Sequence, residues 1–306
     1  MKIKVLSILF CFFFFKLFSQ DTLLPIVKLD DVIISEEKNG FSVEDFIFYV
    51  KNDTTFYKGF KHLRYFKHDY SSRLNLYNKK DKKIGFLNRR GVHYSDSNRA
   101  WVVDDSVSYD GKIYKRNGDY KHYTTQAFDD VFFPYDTVNV SLNISKKKNN
   151  DESQDMKDAK TIGFSIGTDN VKQSKGGANK RFAIFDIEMQ KYYDYIISDT
   201  VYLNRPCYIF TVKVKKNLSK KDKEKALVRK VLSYFDKENF NVIYREYKFV
   251  YNNWFIDLDM GVTVYLDYID RFHVPTKIFY EGFWKVLFFK KEKAHFDLEL
   301  YNYSLY

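Results

Sequence analysis

Apolar and polar residues alternate through the last quarter of the chain, roughly residues 228–303. From Ala294 to Leu300 the even positions are apolar and the odd positions are polar or charged. Side chains of a strand point to opposite faces with a period of two, so this pattern predicts a half-buried strand. The segments Met260–Tyr268, Val274–Tyr280 and Trp284–Phe288 show the same alternation. We therefore expect a series of strands that bury one face.

Short polar or turn-forming segments separate these strands: Asn252–Asn253, Asp270–Arg271, Glu281–Gly282 and Lys290–Lys293. Connections this short favour neighbouring antiparallel strands, because parallel strands need crossovers of about a dozen residues or more. Alternation between residues 72 and 145, with Asp-Gly and Asn-Gly pairs between the runs, predicts further hairpins. Further strands are expected at Phe182–Met189, Tyr192–Ser198, Val201–Tyr202, Tyr208–Val214, Leu232–Phe235 and Val242–Tyr251. The pattern predicts an antiparallel meander with one face on a core and one in water.

Two amphipathic helices are predicted before these strands. Ser42 is a favourable N-cap, Asp45 follows three residues later, and apolar residues then recur at helical spacing. A second short helix with an aromatic stripe is expected over residues 56–63, capped by Thr54 or Thr55. Amphipathic helices need an apolar surface to lie on, and the sheet supplies one.

The candidate boundary between two domains is the polar stretch over residues 146–180, which we interpret as a long loop inside one continuous sheet. Residues 218–229 are rich in lysine, and Ser219 is placed to cap a short surface helix there. Residues 146–180 lack apolar periodicity and predict a long polar loop. We expect residues 21–306 to form a single domain of the α+β class, mainly antiparallel β.

The N-terminus has the pattern of a secretory signal. Lys2 and Lys4 precede the apolar segment Val5–Phe15, and residues 17–20 supply a cleavage site. The apolar segment is shorter than the roughly 20 residues that span a bilayer. We predict a signal peptide over residues 1–20 and export to the periplasm, to the periplasmic face of the outer membrane or into the medium. An uncleaved anchor or a buried helix is the alternative.

The chain is basic and rich in aromatic residues. Its formal charge is +11, and removal of Lys2, Lys4 and Lys16 with the signal leaves +8. An exported protein rarely meets nucleic acid, so the sequence argues against that partner and favours contact with anionic membrane surfaces. Aromatic residues make up 19% of the chain, which favours β structure. Removal of Cys11 leaves Cys207 without a disulfide partner, so the core must stabilise the protein.

No motif in the sequence indicates catalysis or metal binding. The six His residues lack the spacing of zinc-hydrolase ligands, and there is no G-x-S-x-G elbow or Walker A loop. We expect no cofactor, no metal and no enzymatic activity. We interpret the acidic pairs as solvated loop residues: Asp30–Asp31, Asp104–Asp105, Asp129–Asp130, and Asp257 with Asp259, which precedes an expected turn.

Four segments in the last third of the chain resemble a known family: Arg205–Val212, Tyr234–Asp236, Val242–Tyr247 and Val274–Ile278. Their order is similar to that in exported Gram-negative envelope proteins with a LolA-like, lipoprotein-carrier type of fold. The resemblance implies a curved sheet or incomplete barrel, covered on its concave side by the two short N-terminal helices. Relatives of this type bind acyl chains or other apolar ligands in the hollow.

We therefore hypothesise a non-enzymatic envelope protein that holds a lipid, acyl chain or other apolar ligand between a curved sheet and a helical lid. The candidate ligand-binding residues are Phe46, Phe60, Trp254 and Trp284. One alternative is an envelope scaffold, or a module that binds glycan or another protein, without a ligand cavity. Another is a hydrolase built from scattered carboxylates and His residues.

Overall fold

The computed structural model of the protein describes residues 27–29, 42–96, 99–133, 138–139, 181, 183–252, 256–286 and 291–305. The predicted signal peptide, the predicted loop over residues 146–180 and Trp254 lie outside these residues.

The described residues form one twelve-stranded sheet. Ten strands are long, and two at the edges are short. The strands are β1 Val27–Leu29, β2 Lys67–Tyr77, β3 Lys83–Ser95, β4 Arg99–Gly111, β5 Val138–Asn139, β6 Tyr193–Tyr202, β7 Arg205–Val214, β8 Val228–Asp236, β9 Val242–Asn252, β10 Ile256–Ile269, β11 Phe272–Val286 and β12 Glu292–Ser304.

The strand order is β1-β6-β7-β8-β9-β10-β11-β12-β2-β3-β4-β5. Every neighbouring pair is antiparallel except β1 with β6, so the prediction of a mainly antiparallel sheet is confirmed. Within the described residues, β1 and β5 are the outer strands, and the sheet stays open. The last long strand pairs with the first, with Leu298 opposite Ser72, and this pairing joins the two halves of the chain.

Five α-helices and a short 3-10 helix, Leu63–Tyr65, accompany the sheet in the described part of the chain. The α-helices are α1 Val43–Asn52, α2 Thr55–His62, α3 Tyr123–Phe132, α4 Ile187–Gln190 and α5 Lys220–Lys225. The predicted caps of α1 and α5 are confirmed, since Ser42 Oγ accepts from the backbone N–H of Asp45 and Ser219 Oγ from that of Asp222. Thr54 is the N-cap residue of α2, as predicted, but its side chain makes no capping hydrogen bond. Asp53, one residue earlier, accepts instead from the Thr55 backbone N–H at 2.7 Å.

Two predictions of local structure are wrong. Phe182–Met189 is no strand over its described part, where a turn leads into α4 with Asp186 as its N-cap. β10 and β11 also run unbroken through the expected turns at Asp259 and Gly282. Gly282 is required for close packing instead, because a Cβ there would lie 2.5 Å from the Asp259 carbonyl oxygen.

The pairing registers assign each strand residue to one of two faces. One face carries Phe210 of β7, Phe235 of β8, Tyr247 of β9, Val264 of β10 and Phe296 of β12, all buried. The helices α1, α2 and α3 pack on this face, which we call the covered face. The prediction that α1 and α2 lie on a sheet is confirmed, and α3 adds a helix that the sequence pattern did not indicate.

The other face, which we call the open face, carries charged pairs between neighbouring strands. Lys230 Nζ lies 2.8 Å from Glu246 Oε1, and Lys277 Nζ lies 2.7 Å from Glu299 Oε1. A row of half-buried rings crosses the same face, with centroid separations of 4.8–6.0 Å between neighbours: Tyr202, Tyr234, Tyr244, Tyr265 and Phe279. Such pairs stabilise neighbouring strands.

Substitution of Gly91 by alanine is expected to lower the free energy of unfolding by about 1–3 kcal/mol. Gly91 lies at a register shift between β3 and β4, and a Cβ there would lie 2.1 Å from the Val103 carbonyl oxygen. Gly261 of β10 is the matched control, because its nearest neighbour would be 3.8 Å away. Alanine at Gly261 should be neutral or stabilising in urea denaturation, and equal losses at both positions would contradict the packing explanation.

Candidate functional site

The first sector of the covered face lies under α1 and α2. The Phe46 ring of α1 lies 5.2 Å from Tyr208 and 5.5 Å from Phe235, measured between centroids. The Phe60 ring of α2 lies 5.3 Å from Phe56, and both rings are buried. These contacts place the predicted site residues Phe46 and Phe60 between helix and sheet, where they fill space in the core.

A buried ion pair fixes the turn between α1 and α2 to this sector. Arg245 Nη2 of β9 donates to Asp53 Oδ2 at 3.2 Å, and its Nε donates to Ser233 Oγ at 3.0 Å. The guanidinium also lies over the Phe56 ring. Burial lowers the pKa of Arg245, while the neighbouring Asp53 carboxylate opposes that shift. The carboxylate therefore compensates a cation that would otherwise be buried without a partner.

The second sector lies under α3. Phe128 stacks on Phe296 with centroids 4.2 Å apart and meets Tyr280 edge-on at 4.9 Å. Phe132 also stacks on Phe296, at 5.7 Å. Aromatic residues of α3 therefore cover β11 and β12 as those of α1 cover β7 and β8.

A second buried arginine holds α3. Arg89 of β3 donates from Nη1 to Asp129 Oδ1 at 2.5 Å and from Nη2 to Asp104 Oδ2 at 2.9 Å. The Tyr70 hydroxyl donates to Asp104, and the Tyr120 hydroxyl donates to Asp129 at 3.0 Å. Asp104 and Asp129 are therefore not the solvated loop acids expected from the sequence. Both carboxylates instead bind the same guanidinium, that of Arg89.

Glu292 of β12 caps the N-terminus of α3. Its carboxylate accepts from the Thr124 backbone N–H at 3.0 Å, from the Thr124 hydroxyl at 2.9 Å and from the Tyr123 backbone N–H at 3.3 Å. His122 Nδ1 lies 3.2 Å from the same carboxylate. Burial alone would raise the pKa of Glu292, but the hydrogen bonds from His122 and Thr124 outweigh it and leave this pKa below its ordinary value. An ionised carboxylate here also complements the helix dipole.

Five large apolar side chains of α3 and of strands β9, β10 and β11 are only partly buried, although they pack on the core of the covered face: Phe128, Phe132, Tyr251, Val262 and Trp284. We call this group the apolar patch. Tyr251 and Trp284 both lie opposite Leu258 of β10, so the three share one face. The Trp284 indole N–H donates to the Tyr280 hydroxyl, which fixes its ring.

The structure thus separates the predicted site residues. Phe46 and Phe60 belong to the sector under α1 and α2, whereas Trp284 belongs to the apolar patch beside α3. Strand alternation predicts the apolar face that carries Trp284, and helical spacing predicts the apolar faces that carry Phe46 and Phe60. Partial exposure, which distinguishes the patch from the core, depends on α3 and is not visible in the sequence.

Two histidines are stacked on each other where β2 begins and β3 ends. The His68 and His93 ring centroids lie 4.5 Å apart, and each Nδ1 lies 3.1 Å from the Phe66 carbonyl oxygen. Burial, followed by the proximity of His93, lowers the pKa of His68 well below its ordinary value. Burial also lowers the pKa of His273, at the start of β11, to about 4.

We expect the free energy of unfolding to fall as the pH falls from 6.5 towards about 4. The folded protein keeps His68 and His273 neutral, whereas the unfolded chain takes up protons at the ordinary pKa, so protonation favours unfolding. Each group contributes at most about 1.4 kcal/mol per pH unit. Urea denaturation across this range should show a smaller slope for His273→Gln, and equal slopes in variant and wild type would contradict the prediction.

Among the described residues, no three His, Cys, Asp or Glu side chains are grouped closely enough to hold a metal ion. None of the helices in the described ranges has the length and apolar character needed to cross a membrane.

No protein-family model matches the chain, and no curated protein matches it. Solved structures that resemble it at low similarity include the following three. A DUF1329 family protein from Desulfovibrio piger is 11% identical with a TM-score of 0.25, over 85% of this chain and 90% of that one. A putative outer membrane lipoprotein-sorting protein domain from Vibrio parahaemolyticus is 9% identical with a TM-score of 0.25, over 81% and 92%.

The third structure is that of lipovitellin, described for its lipid–protein interactions. It is 8% identical with a TM-score of 0.28, and the match covers 78% of this chain but 25% of the lipovitellin chain. This chain therefore spans about a quarter of the length of that protein. None of these similarities assigns the chain to a family.

Proposed function

We propose that the protein is a non-enzymatic, exported envelope protein that holds an acyl chain or another apolar ligand on the covered face. The observation that carries the proposal is the apolar patch, whose five side chains pack on the core of the covered face and remain partly exposed. Burial of apolar area stabilises a bound ligand by about 25 cal/mol per Å². Tyr251, Val262 and Trp284 belong to three neighbouring strands, β9, β10 and β11, and share one face. A linear acyl chain would lie across these three side chains.

In this proposal, α1, α2 and α3 lie on the concave side of a curved sheet. They leave the apolar patch uncovered, and the ligand binds to the patch. Phe46 and Phe60 then support the wall of the site, and Trp284 touches the ligand. The buried pairs of Arg245 with Asp53 and Arg89 with Asp129 hold the two helical sectors in place. The ligand would meet a preformed surface and lose little binding energy to reorganisation.

Native mass spectrometry with lipid extraction of the purified protein tests this function. We expect a co-purifying acyl species, or a mass shift on addition of a fatty acid. Val262→Lys should abolish the complex, because it introduces a charge into the patch. Thr263→Lys is the matched control, since the next residue of β10 lies on the open face, and it should retain the ligand. Absence of any bound acyl species in the wild type would contradict the proposal.

The aromatic row on the open face favours a second candidate function, that of an envelope scaffold or a module that binds glycan or protein. Tyr234 and Tyr244 lie 4.8 Å apart, and the row continues through Tyr265 to Phe279. Affinity capture from an envelope extract with wild type and a Tyr244→Ala variant separates the two functions. A partner lost with Tyr244, together with no acyl ligand, would favour the second function.

A further inference from the structure

Positive charge is concentrated at one end of the sheet. The connections β2–β3, β4–α3 and β7–β8, over residues 78–82, 112–122 and 215–227, contain thirteen Lys and Arg residues and four Asp and Glu residues. The antiparallel registers place all three connections at the same end, which we call the basic end.

The opposite end of the sheet has no excess of positive charge. Its strand connections over residues 96–98, 203–204, 237–241 and 270–271 contain two basic and three acidic residues. The strand order therefore brings basic connections from three parts of the sequence to one end of the sheet. Separation of charge over a protein surface produces a field that orients the molecule near a polyanion.

A cleft at the basic end supplies a place for a single anionic group. It has a volume of about 230 Å³ and is lined by Asn78, Lys79, Asp81, Phe283, Lys291 and Lys293. Lys293 Nζ pairs with Asp81 Oδ1 at 2.8 Å, and Lys291 lies over the Phe283 ring. Among the described residues, no carboxylate lies within ion-pairing distance of Lys79 or Lys291. The Asn78 side chain accepts from the Lys80 and Lys82 backbone N–H groups and orders the turn that carries Lys79.

We infer that the basic end docks on the phosphate headgroups of an anionic lipid surface, with one headgroup in this cleft. Twelve of the thirteen basic residues in the three connections are lysines. Lysine acts as a mobile point charge and suits diffuse attraction to a surface, whereas geometric readout of nucleic acid favours arginine. The predicted export signal also places the chain where lipid phosphate is the abundant polyanion.

Vesicle sedimentation with the protein from Asp21 onward tests the inference. We expect binding to phosphatidylcholine vesicles that contain phosphatidylglycerol, and none to pure phosphatidylcholine. Each lysine near an anionic surface strengthens binding about fivefold, so Lys79→Gln/Lys80→Gln should weaken partitioning about 25-fold. Raising the salt concentration should weaken it further.

The matched control is Lys67→Gln/Arg271→Gln, which removes the same charge from exposed positions at the opposite end. It should leave partitioning within about twofold of wild type, and circular dichroism should show all variants folded. Equal losses in both variants, or equal binding to neutral vesicles, would overturn the inference. Tighter binding to a short DNA duplex than to the anionic vesicles would overturn it in favour of nucleic acid. Acyl occupancy of the apolar patch is measured separately by lipid extraction, so either proposal can fail alone.

Discussion

Replacement of Arg89 by alanine is expected to lower the free energy of unfolding by about 3–5 kcal/mol. The change leaves the Asp104 and Asp129 carboxylates, which are 16% and 11% exposed, without their common cation. It also removes the cation that lies over the Phe133 ring, at the C-terminal end of α3. Urea denaturation followed by tryptophan fluorescence measures the loss.

Arg90→Ala is the matched control for Arg89→Ala. Arg90 is the next residue of β3 and is exposed on the open face. Its removal should change the free energy of unfolding by no more than about 0.5 kcal/mol. Similar losses of unfolding free energy for the two variants would show that any alanine substitution in this part of β3 is destabilising, whether or not it breaks the buried ion pair.

Asp53→Ala should be destabilising by a similar amount, about 3–5 kcal/mol. It leaves Arg245 unpaired against Phe56 and removes the cap of α2 that binds the Thr55 backbone. Exposed Glu44, in the first turn of α1, is the control, and Glu44→Ala should cost at most about 1 kcal/mol through the helix dipole.

A double-mutant cycle isolates the ion pair in this prediction. Arg245→Met in the Asp53→Ala background removes the uncompensated charge, so the double variant should be more stable than Asp53→Ala alone. Strictly additive losses would show that Asp53 acts only as a helix cap.

The strands were predictable because alternation with a period of two is a local signal. Residues 294–300 show it most clearly, and their burial alternates as the sequence indicates. The N-cap Ser42 was predictable for the same reason, since the residues that it binds lie within one helical turn.

Helix α3 was not predictable, because its stabilising contacts come from distant parts of the chain. Its sequence includes β-branched and aromatic residues, which have no helical preference. Its N-terminus is capped by Glu292, which lies 168 residues from Thr124 in the sequence. Arg89, which binds Asp129 of this helix, lies 40 residues from Asp129 in the sequence. Tertiary contacts therefore decide the conformation of this segment.

The candidate site was predictable only in part. Alternation and helical spacing place Phe46, Phe60 and Trp284 on apolar faces. In the structure Trp284 lies on the covered face of the sheet, and Phe46 and Phe60 lie on the helices that pack against that face. Which of them remains partly exposed depends on where α3 lies. The basic end could not be predicted either, because only the strand order and registers bring residues 78–82 and 215–227 to the same end of the sheet.

Photo-crosslinking with a diazirine-labelled fatty acid, mapped to single residues by mass spectrometry, tests the central claim most directly. We predict that labels concentrate on Tyr251, Val262, Trp284 and the exposed side of α3. The Val262→Lys substitution should abolish labelling at these positions. Labels on open-face residues such as Thr263 and Lys285, or labelling no greater than in the denatured protein, would contradict it.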